Sequence, residues 1–266
     1  MSTAASTPTP GQYDGFQVEV QPSARRADIV LNRAPLNIVT IGQREQLRAA
    51  FEELDDNDAI QVIVLRADGE HFSSGGYIKE FIEASPEYLS HLADNIAAPE
   101  RCRKPVIAAI HGYCFGVAFE LSLACDFRIV TASSLLALPE QRIGMIPGSG
   151  GSARLLHMIG IGRTKDMVMR GRRITGIEAH HWGIAIDCVA DESLAAATDS
   201  LVNELTTFSP LAQRTLKYVL NTSQNTSVQA GIELEGHAFG QLRSSTDFHE
   251  GVAAFHEKRK PEFTGC

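Results

Sequence analysis

The chain has 266 residues, 44% apolar and 21% charged, and 24 Lys+Arg against 32 Asp+Glu give a formal net charge of −8. That length and composition suit a globular protein with a sizeable core, and the acidic balance argues against a nucleic-acid partner held by clustered basic residues. No apolar run approaches the ~20 residues that span a bilayer, so no membrane partner is expected either.

Residues 1–15 are rich in Ser, Thr, Pro and Ala and lack a basic segment leading into an apolar one. They are expected to form a disordered arm on a cytoplasmic protein. The stretches 16–20 and 28–32 read as strands. Residues 41–54 place apolar side chains at 41, 47, 51 and 54, which is a helical period. The runs 61–66 (QVIVLR) and 105–110 (PVIAAI) are continuous, apolar and β-rich, as in strands covered on both faces. A helix is predicted between them at 86–101, and another at 116–125 ahead of a strand at 126–131. From 150 onward the pattern is helical, at 150–159, 162–170, 176–182, 191–207, 209–220, 227–240 and 245–257, with one short strand-like run at 184–189. The class is therefore α/β, an α/β core followed by a helical region in one closely packed chain.

The five cysteines, at 102, 114, 125, 188 and 266, are irregularly spaced with no C-x-x-C pair. Reduced thiols are expected, and no zinc framework. His180 and His181 are adjacent, so they cannot share a helical face as metal ligands. The run from Gly148 to Ala153 fits G-x-G-x-x-A, but no clear strand leads into it, and a tight turn explains it better than a dinucleotide site.

Chemistry concentrates in three Gly-rich stretches that each follow a strand: Phe72-Ser-Ser-Gly-Gly-Tyr-Ile-Lys79, His111-Gly-Tyr-Cys-Phe-Gly-Val-Ala-Phe-Glu-Leu121, and Leu138-Pro-Glu-Gln-Arg-Ile-Gly-Met-Ile-Pro-Gly-Ser-Gly-Gly151. Gly116 opens a helix, so the Val117 N–H is an unpaired donor at the positive end of the macrodipole. An N–H near Gly76 could supply a second. Two such donors on one carbonyl oxygen make an oxyanion hole, and losing one typically costs about 3–4 kcal/mol of transition-state stabilisation. Glu120 lies one helical turn beyond Val117 on the same face, in otherwise apolar surroundings that would raise its pKa. Glu140, taken alone, reads as an ordinary loop carboxylate.

These stretches resemble those of the crotonase superfamily, the enoyl-CoA hydratase/isomerase family. The likeness runs from Asn32-Arg-Ala-Pro-Leu-Asn37, similar to the family's early L-N-R-P-x-x-x-N, to Lys258-Arg-Lys-Pro-Glu-Phe263, similar to its K-R-x-P-x-F. It implies a ββα-spiral core at 16–205, binding acyl-CoA, and a helical trimerisation region at 206–266. The assembly would be a homotrimer or a dimer of trimers. The resemblance implies a CoA thioester as substrate and no cofactor or metal. By position, the oxyanion amides would be Gly76 and Val117, and the catalytic acids Glu120 and Glu140. Gly148 would line the water site, with Tyr77 beside the substrate. Ser74, Gly75 and Ile78 would lie against CoA, with Lys258 and Lys260 near its phosphates.

The implied reaction is hydration of an α,β-unsaturated thioester. Two departures bear on the acyl pocket. Tyr77 stands where the family usually has Asp, and Gly116-Val-Ala-Phe119 replaces a commoner run of glycines. The alternatives are thioester hydrolysis, for instance of a 2-oxoacyl-CoA such as 2-oxoglutaryl-CoA, and enoyl-CoA isomerisation. Both glutamates favour water chemistry over isomerisation.

Overall fold

The computed structural model describes residues 13–266. Residues 1–12 of the expected arm lie outside these. Tyr13, Asp14 and Gly15, placed in that arm by the sequence reading, are instead tied to the body. Tyr13 stacks on Phe16 with ring centroids 4.4 Å apart, and the Asp14 N–H donates to Gln46 at 2.8 Å.

β1 (Phe16–Gln21) pairs antiparallel with β2 (Arg26–Leu31). α1 (Ile41–Asp56) starts at a capping box in which the Thr40 side chain accepts from Gln43 N–H and the Gln43 side chain returns to the Thr40 N–H. Its Leu47, Phe51 and Leu54 face the core at the spacing the sequence showed. β3 (Val62–Ala67) follows, parallel to β2.

The helix expected at 86–101 is broken. After α2 (Ile78–Glu83), the segment forms α3 (Pro86–Ser90), α4 (Leu92–Ile96) and α5 (Ala98–Arg101). Pro99 explains the last break, since it has no N–H to donate and its ring would clash with the carbonyl four residues back; here it sits in the first turn of α5.

β4 (Val106–Ile110) is buried throughout and lies parallel to β3. After it come β5 (Tyr113–Phe115), α6 (Val117–Leu123), β6 (Phe127–Thr131) and β7 (Leu135–Ala137). α7 (Gly151–Arg170) spans both helices expected at 150–159 and 162–170, with a kink at Gly160 where φ is 73°. β8 (Ile174–Thr175), α8 (Gly176–His181) and β9 (Asp187–Val189) complete the core with α9 (Leu194–Leu205). Of the strand expected at 184–189 only the last three residues pair; Ile184 and Ala185 are buried side-chain packing instead.

Two sheets result. The large one has order β1-β2-β3-β4-β6-β9, parallel from β2 onward, and the small one has order β5-β7-β8. β4 and β6 are each followed by a short strand of the small sheet, and after β3 Ser73 makes a parallel bridge to Cys114. Each step of the chain thus winds from large sheet to small sheet, a ββα spiral with its core between the layers. The small sheet escaped sequence reading because strands of two or three residues carry no periodicity.

α10 (Pro210–Ser223), α11 (Val228–Leu242) and α12 (Thr246–Glu257) form the C-terminal region. α10 is fastened by buried Lys217, whose Nζ donates to Pro99 O, Lys104 O and Asp126 Oδ2 at 2.8, 2.9 and 2.6 Å. Outward faces of α11 and α12 carry Val228, Ile232, Phe239, Val252 and Phe255 in exposed positions. Among the described residues no helix is long and apolar enough to cross a membrane.

Candidate active site

The three Gly-rich stretches meet at one end of the small sheet. Ser73 N–H donates to Tyr113 O at 2.8 Å and Phe115 N–H to Ser73 O at 3.1 Å, which lays the first stretch beside the second. Gly116 N–H donates to Ala137 O at 3.0 Å, which brings in the third. Gly116 has φ 52° and ψ −128°, a conformation essentially closed to side chains, and a Cβ there would stand 3.1 Å from Glu140 Oε1. Glycine thus lets the chain turn into α6 with the Glu140 carboxylate against its backbone.

Neither the Gly76 nor the Val117 N–H has an acceptor among the described residues. Gly76 is held by strand-like pairing with Val39: Val39 N–H donates to Gly75 O at 2.9 Å and Tyr77 N–H to Val39 O at 3.1 Å. Val117 is the first residue of α6. Two free amides are thereby fixed by secondary structure on adjacent glycine turns, where a Cβ on Gly75 would stand 3.0 Å from Phe115 O.

Glu120 is 2% exposed. Its Oε1 accepts from Ser149 N–H at 2.7 Å and Gly151 N–H at 3.0 Å. These are donors at the N-terminus of α7, where the helix dipole favours an anion. A Cβ on Gly151 would lie 2.9 Å from Glu120 Cγ and 2.9 Å from Leu138 Cδ1, so the close approach requires glycine. The G-x-G-x-x-A run is therefore more than a tight turn: it cradles a carboxylate of the chain itself. Arg154 braces the cradle, donating to Ser149 O at 3.0 Å while paired with Glu100 at 2.5 Å.

Burial pushes the Glu120 pKa up, opposed by the Gly151 and Ser149 N–H groups and by the charges of Arg44 and Arg154. Glu140 follows Pro139 at the start of a 3-10 turn. Its pKa is pushed up to about 7, chiefly by burial, with its own backbone N–H opposing and the Glu120 charge adding. Its buried Oε2 has no hydrogen-bond partner among the described residues. Two like charges facing one space titrate as a pair. Two backbone N–H donors favour the charged form of Glu120 against the burial that disfavours it.

Arg44, which sequence reading did not single out, also belongs to the site. It lies in the first turns of α1, 4% exposed, with its guanidinium over the Phe81 ring at 5.3 Å and Nη2 3.0 Å from where a Cβ on Gly76 would be. Ser149, Gly151 and Arg154 were missed likewise. The glycine pair opening a long helix was the available signal for the amides; nothing local marked the two arginines.

Tyr77 caps the start of α2 and, with Ile78, is exposed at the rim; Ser74 N–H donates to Leu36 O at 2.9 Å. Gly148 sits one residue before the cradle, and a Cβ there would meet nothing within 4 Å. Lys258 and Lys260 are exposed beyond α12, and no described contact brings them to the glutamates. Among the described residues no group of three or more His, Cys, Asp or Glu is placed to hold a metal ion.

Residues 24–266 match the family model described as Enoyl-CoA hydratase/isomerase. The chain is 34% identical over 251 residues to a carnitinyl-CoA dehydratase of Salmonella arizonae, covering 90% of this chain and 94% of the relative. It is 31% identical over 242 residues to a 2,3-dehydroadipyl-CoA hydratase of Escherichia coli, covering 89% and 94%. Among solved structures, an enoyl-CoA hydratase from Bacillus anthracis superposes with a TM-score of 0.88 at 31% identity, covering 95% of this chain and 100% of that one.

Proposed function

The chain belongs to the enoyl-CoA hydratase/isomerase family of the crotonase superfamily, and from that premise we propose that Glu120 and Glu140 add water across the double bond of a 2-enoyl-CoA thioester. The observation that carries this is a buried carboxylate held by two backbone N–H groups, with a second whose pKa is pushed up to about 7 and two free amides. The thioester oxygen accepts from the Gly76 and Val117 N–H groups. Glu120 takes a proton from water as its oxygen bonds to C3. The C2–C3 π electrons move toward the thioester, placing charge on the oxygen in the amide pair. Glu140 delivers its proton to C2, and the proton gained by Glu120 returns to Glu140 through solvent.

The remaining assignments belong to the same reading. Ser74, Gly75 and Ile78 line the edge on which CoA lies, and the bare space at Gly148 leaves room for the reacting water. Tyr77 walls the acyl entrance. Lys258 and Lys260 serve CoA phosphates of their own or a neighbouring subunit. The exposed apolar faces of α11 and α12 suit a homotrimer or dimer of trimers, and five free cysteines suit the cytoplasm. The chemistry calls on no cofactor beyond CoA carried by the substrate.

Mass spectrometry with parallel free-thiol detection, after incubation with enoyl-, 3-hydroxyacyl- and 2-oxoacyl-CoA esters, tests the reading. A product that gains water and keeps CoA is expected. Release of free CoA instead makes the protein a hydrolase, with the same water aimed at the thioester carbon.

A further inference from the structure

Arg44 is a buried cation set over the Phe81 ring. Among the described residues its guanidinium has neither a hydrogen-bond acceptor nor a carboxylate within ion-pair distance, and its Nε is buried and unsatisfied. The acidic groups that feel its charge each have one oxygen on backbone N–H groups. Glu80 Oε2 accepts from Ile41 N–H at 2.6 Å, and Glu120 Oε1 accepts from the two α7 amides. The Tyr88 hydroxyl donates to Glu45. A guanidinium has five donors, and leaving the Nε donor buried without an acceptor is costly unless something else occupies it.

The position of the side chain is fixed rather than incidental. The Thr40–Gln43 capping box sets the first turn of α1, and the Val39–Gly76 pairing just before it ties that turn to the amide of the oxyanion pair. Phe81 supports the guanidinium from one side. Nη2 lies 3.0 Å from the position of a Cβ on Gly76, so the guanidinium packs against the residue whose N–H is free. A planar fork of donors at that point matches a carboxylate, and matches a terminal methyl poorly.

We propose that Arg44 is a specificity-determining residue that receives a carboxylate carried by the acyl chain, making the preferred substrate a CoA monothioester of a short unsaturated dicarboxylic acid. The inference rests on the acyl-CoA reading above. Its test compares two esters of equal length, glutaconyl-CoA and 2-pentenoyl-CoA, on the wild type, Arg44→Met and Arg44→Lys. The wild type is expected to favour glutaconyl-CoA by about a hundredfold in kcat/KM, the scale of a desolvated charge-assisted pair. Arg44→Met should bring that ratio near one, mainly through KM, and Arg44→Lys should restore part of it.

Equal use of both esters by the wild type overturns the proposal while leaving the hydratase reading intact. So does an Arg44→Met variant in which both esters lose kcat together at an unchanged ratio, since Arg44 would then only support the Glu120 charge. If neither ester is turned over, calorimetric binding of glutaryl-CoA against valeryl-CoA decides: an Arg44-dependent preference for glutaryl-CoA upholds the carboxylate site with the reaction reassigned, and no preference overturns it.

Discussion

Glu120 can be separated into two functions by two substitutions. In Glu120→Gln the amide oxygen still accepts from Ser149 and Gly151 N–H, now 2.7 and 3.0 Å from Oε1, so the cradle keeps its geometry. The charge is lost, and with it the proposed base for the water proton. A positioned general base contributes roughly 10²–10⁴ in rate, or about 3–5 kcal/mol of barrier. Stability should stay near that of the wild type, since a carboxylate that burial disfavours becomes neutral. Glu120→Ala loses the same activity and also strands two buried N–H donors, each costing about 1–3 kcal/mol, so it should be less stable by about 2–6 kcal/mol. Hydration is followed by loss of the enoyl-thioester absorbance, and stability by urea unfolding at constant m-value. Glu120→Gln turning over within tenfold of the wild type would refute the base assignment. Equal stability of the Gln and Ala variants would refute the cradle.

Glu140, pushed up to about 7, should make hydration fall as pH rises through about 7, because the proton donor is lost; Glu140→Gln should abolish that limb and lower turnover by roughly 10²–10⁴. The same shift has a stability consequence. With the folded value above the ordinary 4.5, the Glu140 contribution is fully present below about 4.5 and is lost as pH rises through about 7, so the advantage of Glu140→Gln in urea should grow across that window and level off above it. Gly116→Ala forces a side chain into φ 52°, with its Cβ 3.1 Å from Glu140 Oε1. It should cost about 1–3 kcal/mol in unfolding and reduce kcat more than KM, whereas an unchanged kcat would show that the turn does not set the position of Glu140.

Much of this protein is decided locally, and that part is legible in the sequence. The apolar period of α1, the doubly covered strands β3 and β4, and the glycine that opens α6 all depend on residues within a few positions of each other. So does the placement of Glu120 one turn beyond a free amide. The resemblance to a known family, carried by the order and spacing of three stretches, supplied the pairing of Glu120 with Glu140 that periodicity could not. Only the tertiary structure decided how those groups behave. Glu120 is held by amides 29 and 31 residues away, which no local pattern specifies. The broken helices between β3 and β4 and the short strands of the small sheet have too few residues to carry a period of their own. Arg44 reads in sequence as one more charged residue on an amphipathic helix, and becomes notable only because folding buries it beside Gly76 without an acceptor. The division follows from the range of the forces. Hydrogen-bonded turns and side-chain periods act between near neighbours, whereas desolvation, charge pairing and steric closeness depend on which distant segments share a volume.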